Sequence, residues 1–188
     1  MISFLNLLSK KNKVLAITAA EIYVNLLNRV IDEGFIEIKS FINNNNNLES
    51  NPNILDKDID WFRNIIFLGN IHNLISAFEE NEAIIMRGLI LDAIYKDCSE
   101  NEQPLAIERF LDYENYFKKI LNDNENIISS MAYGIFEKYD INKYQGDLFK
   151  KKNKPNPIFF NELKNLLNHF IWNWDEYLAK NKVIFKSQ

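Results

Sequence analysis

Apolar residues recur at three- and four-residue intervals along nearly the whole chain, the period of an amphipathic helix. From Val14 to Ile31, the positions Leu15, Ala19, Ile22, Leu26 and Val30 form one stripe, with Ile17, Val24, Leu27 and Ile31 beside it. So broad an apolar surface predicts a central helix packed on more than one side. After Gly34 a second piece, Phe35 to Ile42, runs into Asn43 to Asn47. That run, with Ser50 and Pro52, reads as a flexible surface loop over about 43–53.

Asp56, Asp58 and Asp60 then lead into Trp61-Phe62 and a helix reaching about Phe78. Acidic residues in a first turn favour a helix start through the backbone dipole, and Gly69 is a candidate bend. A third helix, about Glu82 to Asp97, carries Ile84, Ile85, Leu89, Leu91, Ile94 and Tyr95, and a polar break follows at Ser99 to Gln103. Pro104 suits the first turn of a fourth helix, whose apolar face is Phe110, Leu111, Tyr113, Phe117, Ile120 and Leu121. A shorter helix, Ile127 to Tyr139, precedes a lysine-rich flexible loop at about 150–156. Asn156 as cap and Pro157 at the first position begin a last long helix, along which Phe159, Leu163, Leu166, Leu167, Phe170, Trp174 and Leu178 keep helical spacing. Nothing alternates with period two over enough residues to suggest a sheet, and no long repeat is visible. The predicted fold is all-α, a single-domain bundle of five to seven helices over residues 1–188.

With 188 residues, 47% hydrophobic and 26% charged, the chain is long enough for one sizeable core and too apolar to be disordered. A single cysteine, Cys98, excludes a disulfide scaffold and a cysteine-ligated zinc site, and suggests a reducing compartment. Lys outnumbers Arg 18 to 4, with 28 Asn and 26 Ile, a bias typical of an AT-rich genome that carries no mechanism. Lys10, Lys11 and Lys13 before Val14 to Ala20 resemble a short signal peptide. Phe4, Leu5, Leu7 and Leu8 already lie ahead of the lysines, however, and Glu21 opens a longer amphipathic run. A buried first helix is therefore expected, with no membrane span and a cytoplasmic location.

The catalytic inventory is thin. His72 and His169 are the only histidines, and neither has the carboxylate offset of a di-iron bundle, so both read as surface histidines and no metal is implied. Cys98 lies between Asp97 and Glu100, acids that would raise a thiol pKa. There is no nucleophile elbow and no phosphate-cradling glycine loop, so no catalytic residue and no cofactor is predicted. Arg87 and Asp92 sit inside an apolar helix, where charges must be paired or reach an edge. The expected partner of Arg87 is Glu21 or Asp112, with a polar site in the bundle core as the alternative. Trp172 falls off the main stripe of its helix, as an exposed anchor or the wall of a side pocket.

Charge distribution says more. From Glu79 to Glu125 there are twelve acids against five bases, a net −7, so the rest of the chain carries +3. The acids crowd at the helix junctions, where Glu79, Glu80, Glu82, Asp97, Glu100 and Glu102 form the candidate partner-binding set. Solubility and helix capping account for part of this, and a docking surface for a basic protein accounts for it more sharply. The opposite sign appears at Lys150, Lys151, Lys152 and Lys154, near Tyr144, Phe149, Phe159 and Phe160, where stacking and backbone contacts to RNA can be envisaged. The overall charge of −4 weighs against nucleic acid as the partner.

Two stretches, Phe78 to Ile90 around Ala83 and Arg87, and Ala106 to Tyr113 with its Glu108-Arg109-Phe110-Leu111-Asp112-Tyr113 run, resemble an uncharacterised bacterial all-helical domain family. The resemblance covers roughly residues 60–122, and that family is similar to the HEPN superfamily of helical RNases and defence proteins. It implies a helical scaffold. Active members carry an Arg and a His separated by four to six residues. Here Arg29, Arg63, Arg87 and Arg109 have no His at that spacing, and Leu91 stands where the family tends to have Glu. The expectation is thus a non-catalytic, immunity- or antitoxin-like protein that docks an acidic surface on a basic, nuclease-type toxin. The alternative is a HEPN-like defence component that binds or cleaves RNA. A third is an enzyme with a core site around Arg87 and Asp92. Oligomeric state is not legible.

Overall fold

Helices carry almost all of the chain in a computed structural model that describes residues 11–99, 101–124 and 126–185. In order they are α1 (Ala16–Asn43), α2 (Ile59–His72), α3 (Glu80–Ile94), α4 (Gln103–Asp123), α5 (Ile127–Lys138), a short α6 (Asp147–Lys152), α7 (Pro157–Leu167) and a short α8 (Trp174–Lys180). The protein is an all-α bundle. One element escapes the periodicity argument: β1 (Asn12–Leu15) pairs in parallel with β2 (Asn181–Ile184), joining the two ends of the described chain. Four residues per strand are too few for an alternating pattern to stand out.

α1 is a single helix of 28 residues that runs through Gly34 without a break. A Cβ there would stand 2.5 Å from the Phe170 ring, so this glycine admits an aromatic side chain to the helix backbone and does not end the helix. The buried face is Ala16, Ala20, Tyr23, Val24, Leu27, Ile31, Phe35, Ile38 and Ile42. Of the expected stripe, Leu15, Ile22, Leu26 and Val30 are exposed, as is Ile17, and only Ala19 is buried. Two apolar stripes on one helix satisfy the same period, and the one that packs is the one whose mixture of alanines and large side chains matches its neighbours. Small residues on both partners, Ala20 on α1 and Ala83 on α3, suit the most extensive helix contact in the molecule.

Gly69 likewise does not bend α2. It faces Met131 of α5, and a Cβ would collide with that thioether. α5 itself starts at a side-chain cap, Asn126 accepting from the Ser129 N–H at 2.9 Å.

The predicted last long helix is broken. α7 stops at Leu167, a 3-10 turn covers Asn168–Phe170, and α8 begins at Trp174 with Asn173 accepting from the Glu176 N–H at 3.0 Å. The cause lies in α2, where buried Asn70 donates to the Phe170 carbonyl at 2.9 Å and accepts from the Trp172 N–H at 2.7 Å. Those backbone groups would otherwise belong to a continuous helix. Trp172 turns inward, edge-on to Tyr23 with ring centroids 5.6 Å apart and close to Trp174 and Tyr177, so it is neither an exposed anchor nor on a helix.

The two expected flexible loops are pinned. Leu48 bridges Gln145, the Glu49 N–H reaches the Tyr144 carbonyl at 2.7 Å, and the Asn43 amide makes two hydrogen bonds to the Ile54 backbone. Lys150, Lys151 and Lys152 form the last turn of α6, which Asn153 ends in the left-handed region at φ 48°. Buried Gln145 then ties this corner to α7 by donating to the Lys154 carbonyl at 3.1 Å and accepting from the Asn156 N–H at 2.5 Å.

Glycine supplies a stability test. Gly88 lies mid-helix in α3 with nothing near its missing Cβ, so Gly88→Ala raises unfolding free energy by about 0.5–1 kcal/mol in chemical denaturation. Gly34→Ala lowers it by about 1–3 kcal/mol, because Phe170 must move.

Candidate functional site

α3, α4 and the turn between them hold ten of the 26 acids against five bases. Glu79 precedes α3, and Glu80 and Glu82 stand in its first turn, where the backbone dipole favours them. Asp97 and Glu102 lie past its other end, with the Ser99 hydroxyl donating to Glu102 at 2.7 Å. The predicted partner-binding set is therefore two groups at the ends of a 15-residue helix, about 22 Å apart at the helical rise. Glu100 lies outside the described residues.

Between these groups runs the outer face of α3. Ile84 and Ile85, expected in the core, are exposed there at 62% and 47%, while Ala83, Met86 and Ile90 face inward. Asn81, Gly88 and Asp92 complete the face. Asp92 thus points to solvent, and no polar site forms around Arg87 and Asp92. α4 contributes exposed Glu108 and Asp112.

What marks this segment is the density of acids without a cation, since Glu114 alone of its described acids is paired. Glu79, Glu80, Asp92, Asp97, Glu102, Glu108, Asp112 and Asp123 are exposed, and none makes an ion pair with a described residue. Elsewhere Glu21, Asp32, Glu33, Asp56, Asp60, Asp140, Asp147 and Glu176 do, whereas Glu37, Glu49, Asp58, Glu137, Glu162 and Asp175 do not. Of the five local bases, Lys96 pairs with Glu21 at 2.8 Å, Arg87 and Lys118 turn to Glu114, and Arg109 and Lys119 pair with no described acid.

Glu114 is the buried centre behind the surface. It sits 4% exposed on the apolar row of α4 between Phe110 and Phe117, and Arg87 grips it with Nη2 at 2.8 Å and Nε at 3.2 Å. Lys118 stands 3.4 Å away and His72 of α2 3.8 Å away. The partner of Arg87 is therefore neither Glu21 nor Asp112. The clue in sequence was the acid itself: a carboxylate in the Phe110–Phe117–Ile120 row requires a cation.

Burial pushes the Glu114 carboxyl up, but the hydrogen bond and charge of Arg87, with Lys118, hold it below the usual carboxylate range. Burial also pulls the His72 imidazole down, which Glu114 opposes while Lys118 and Arg87 reinforce it. His72 is thus half-buried against an acid, unlike exposed His169. Arg63 is occupied with Asp32 at 2.6 Å and Asp60 at 2.9 Å, so the Arg63 and His72 side chains serve separate carboxylates.

Near the lysines of α6, Phe159 is fully buried against Phe41, and Phe160 packs between Tyr133 and Lys164. Neither ring is free to stack on a nucleobase. Among the described residues no helix is long and apolar enough to cross a membrane. Comparison with protein-family models, with curated proteins and with solved structures finds no match to this chain.

Two tests follow from Glu114. Arg87→Met leaves a buried, under-compensated acid and lowers stability by on the order of 3 kcal/mol, whereas Arg87→Met combined with Glu114→Leu recovers most of that loss. In acid, the unfolded chain protonates His72 near 6.5, while burial in the folded protein holds the imidazole neutral to a lower pH. Stability therefore falls as pH drops below that value, and the Glu114 contribution is lost at lower pH still, as its depressed folded value is passed. Melting temperature measured from about pH 7 to about pH 5 decreases, and His72→Gln flattens this step.

Proposed function

We propose that the protein is a non-catalytic binding module that docks the α3–α4 surface on a basic protein. The observation that carries this reading is the row of exposed carboxylates without intramolecular cations, set around exposed Ile84 and Ile85. An apolar centre with a polar rim is the usual anatomy of a protein interface. Uncompensated like charges repel one another in the free protein, and a partner of opposite sign relieves that repulsion while speeding encounter.

A nuclease-type toxin is the partner class that suits this pattern. A nuclease must present a basic surface to bind phosphates, and carboxylates spaced along a rigid helix can occupy that surface in place of nucleic acid. The protein then acts as an immunity- or antitoxin-like neutraliser.

Tagged protein recovered from its native cells after RNase treatment is expected to retain one basic protein near stoichiometrically. The combined variant Glu79→Lys, Glu80→Lys, Asp92→Lys, Asp97→Lys is expected to lose it while keeping its helical circular dichroism, since these side chains have no internal partners. Retention of the same partner by the variant, or recovery only of RNase-sensitive material, overturns the reading.

A further inference from the structure

A groove of about 650 Å³ lies between four helices. α2 supplies its floor, since Asp60, Arg63, Asn64 and Phe67 recur at three- and four-residue spacing and so share one side of that helix. α1 lines it with Asn28 and Asp32, α4 with Arg109, Phe110 and Tyr113, and Tyr95 lies at the end of α3. Its volume falls within the range of small-ligand sites.

Its polar groups divide into two sets. Arg63, Asp32 and Asp60 satisfy one another, and together carry one negative charge. Arg109, Asn28, Asn64, Tyr95 and Tyr113 make no side-chain hydrogen bond or ion pair with any described residue, although all but Arg109 are half-buried. Burial pushes the Tyr95 phenol up to about 12, so it stays protonated and able to donate. In a protein with only four arginines, three are committed to carboxylates and Arg109 is not. Gathered on one concavity and uncommitted to other side chains, these donors and acceptors are free to meet a ligand.

We propose that this groove binds a small dipolar aromatic molecule of the free aromatic amino-acid class. Its ring lies against Tyr95 and Tyr113, its carboxylate meets Arg109, and its ammonium faces the Asp32–Asp60 side. The charge pattern argues for a dipole over a single charge. A net negative set on α1 and α2 stands across from a free guanidinium on α4, so either charge alone meets attraction at one wall only. The half-buried Tyr95 and Tyr113 rings on its walls favour an aromatic ligand in offset or edge-on contact.

The probes are L-phenylalanine, 3-phenylpropionate, which lacks the ammonium, and phenethylamine, which lacks the carboxylate, each titrated into the full chain by calorimetry. L-Phenylalanine is expected to bind saturably with one site, at least about tenfold tighter than either analogue. Arg109→Gln is expected to weaken L-phenylalanine at least about tenfold, to leave phenethylamine unchanged, and to keep the wild-type melting temperature because Arg109 has no internal partner. Asn64→Ala, which also removes no internal bond, provides a second variant expected to weaken L-phenylalanine. Absence of saturable L-phenylalanine binding, equal affinity for the three probes, or unchanged affinity in Arg109→Gln overturns the assignment.

Discussion

The carboxylate of Glu114 sets the arrangement of the acidic side of the molecule. Removed from water on the apolar row of α4, it needs a cation at hydrogen-bond distance, and the only arginine that reaches it comes from α3 among the described residues. That bond fixes the rotation of α3 about its own axis. With Arg87 turned toward α4, Ala83, Met86 and Ile90 fall into the core, while Ile84, Ile85, Gly88 and Asp92 fall outside. An ion pair of this kind adds little net stability over apolar packing of the same volume. Its consequence here is register: it determines which face of α3 meets solvent and withdraws Arg87 and Lys118 from the surface acids.

A second constraint works through amides. Asn70 and Gln145 are buried and saturated with hydrogen bonds to backbone groups far along the chain. Asn70 holds the chain open between α7 and α8, bringing Trp172 and Trp174 onto Tyr23, and Gln145 closes the corner between α6 and α7. Each substitutes a side chain for helical backbone partners, as buried peptide groups require. With 28 asparagines in the chain, a structural amide such as Asn70 looks no different from a solvated one.

The helices were legible because their signals are local. The boundaries of α2, α4, α5 and α7 follow acids in a first turn, Pro104, Asn126 and the Asn156-Pro157 pair. The buried faces were harder. On α1 the stripe through Leu15, Ile22, Leu26 and Val30 and the stripe through Ala16, Tyr23, Leu27 and Ile31 are both apolar, and periodicity ranks neither. On α3 the same ambiguity put Ile84 and Ile85 in the expected core. The candidate site was legible as an excess of acid, but not as a surface, because the five described residues of the six chosen by crowding in sequence divide between two ends of one helix.

By itself, then, the amino-acid order determined an all-helical chain, the places where most helices begin, and a central segment carrying −7. These depend on spacing and capping within a few residues, which the linear chain contains in full. Tertiary structure alone decided which apolar stripe is buried, which acids find cations, and which unpartnered polar groups gather on one groove. Such outcomes depend on distances between residues remote in sequence, such as Arg87 and Glu114, or Asn70 and Trp172. A buried charge or amide takes whichever partner packing brings within about 3 Å, and no local pattern specifies that partner.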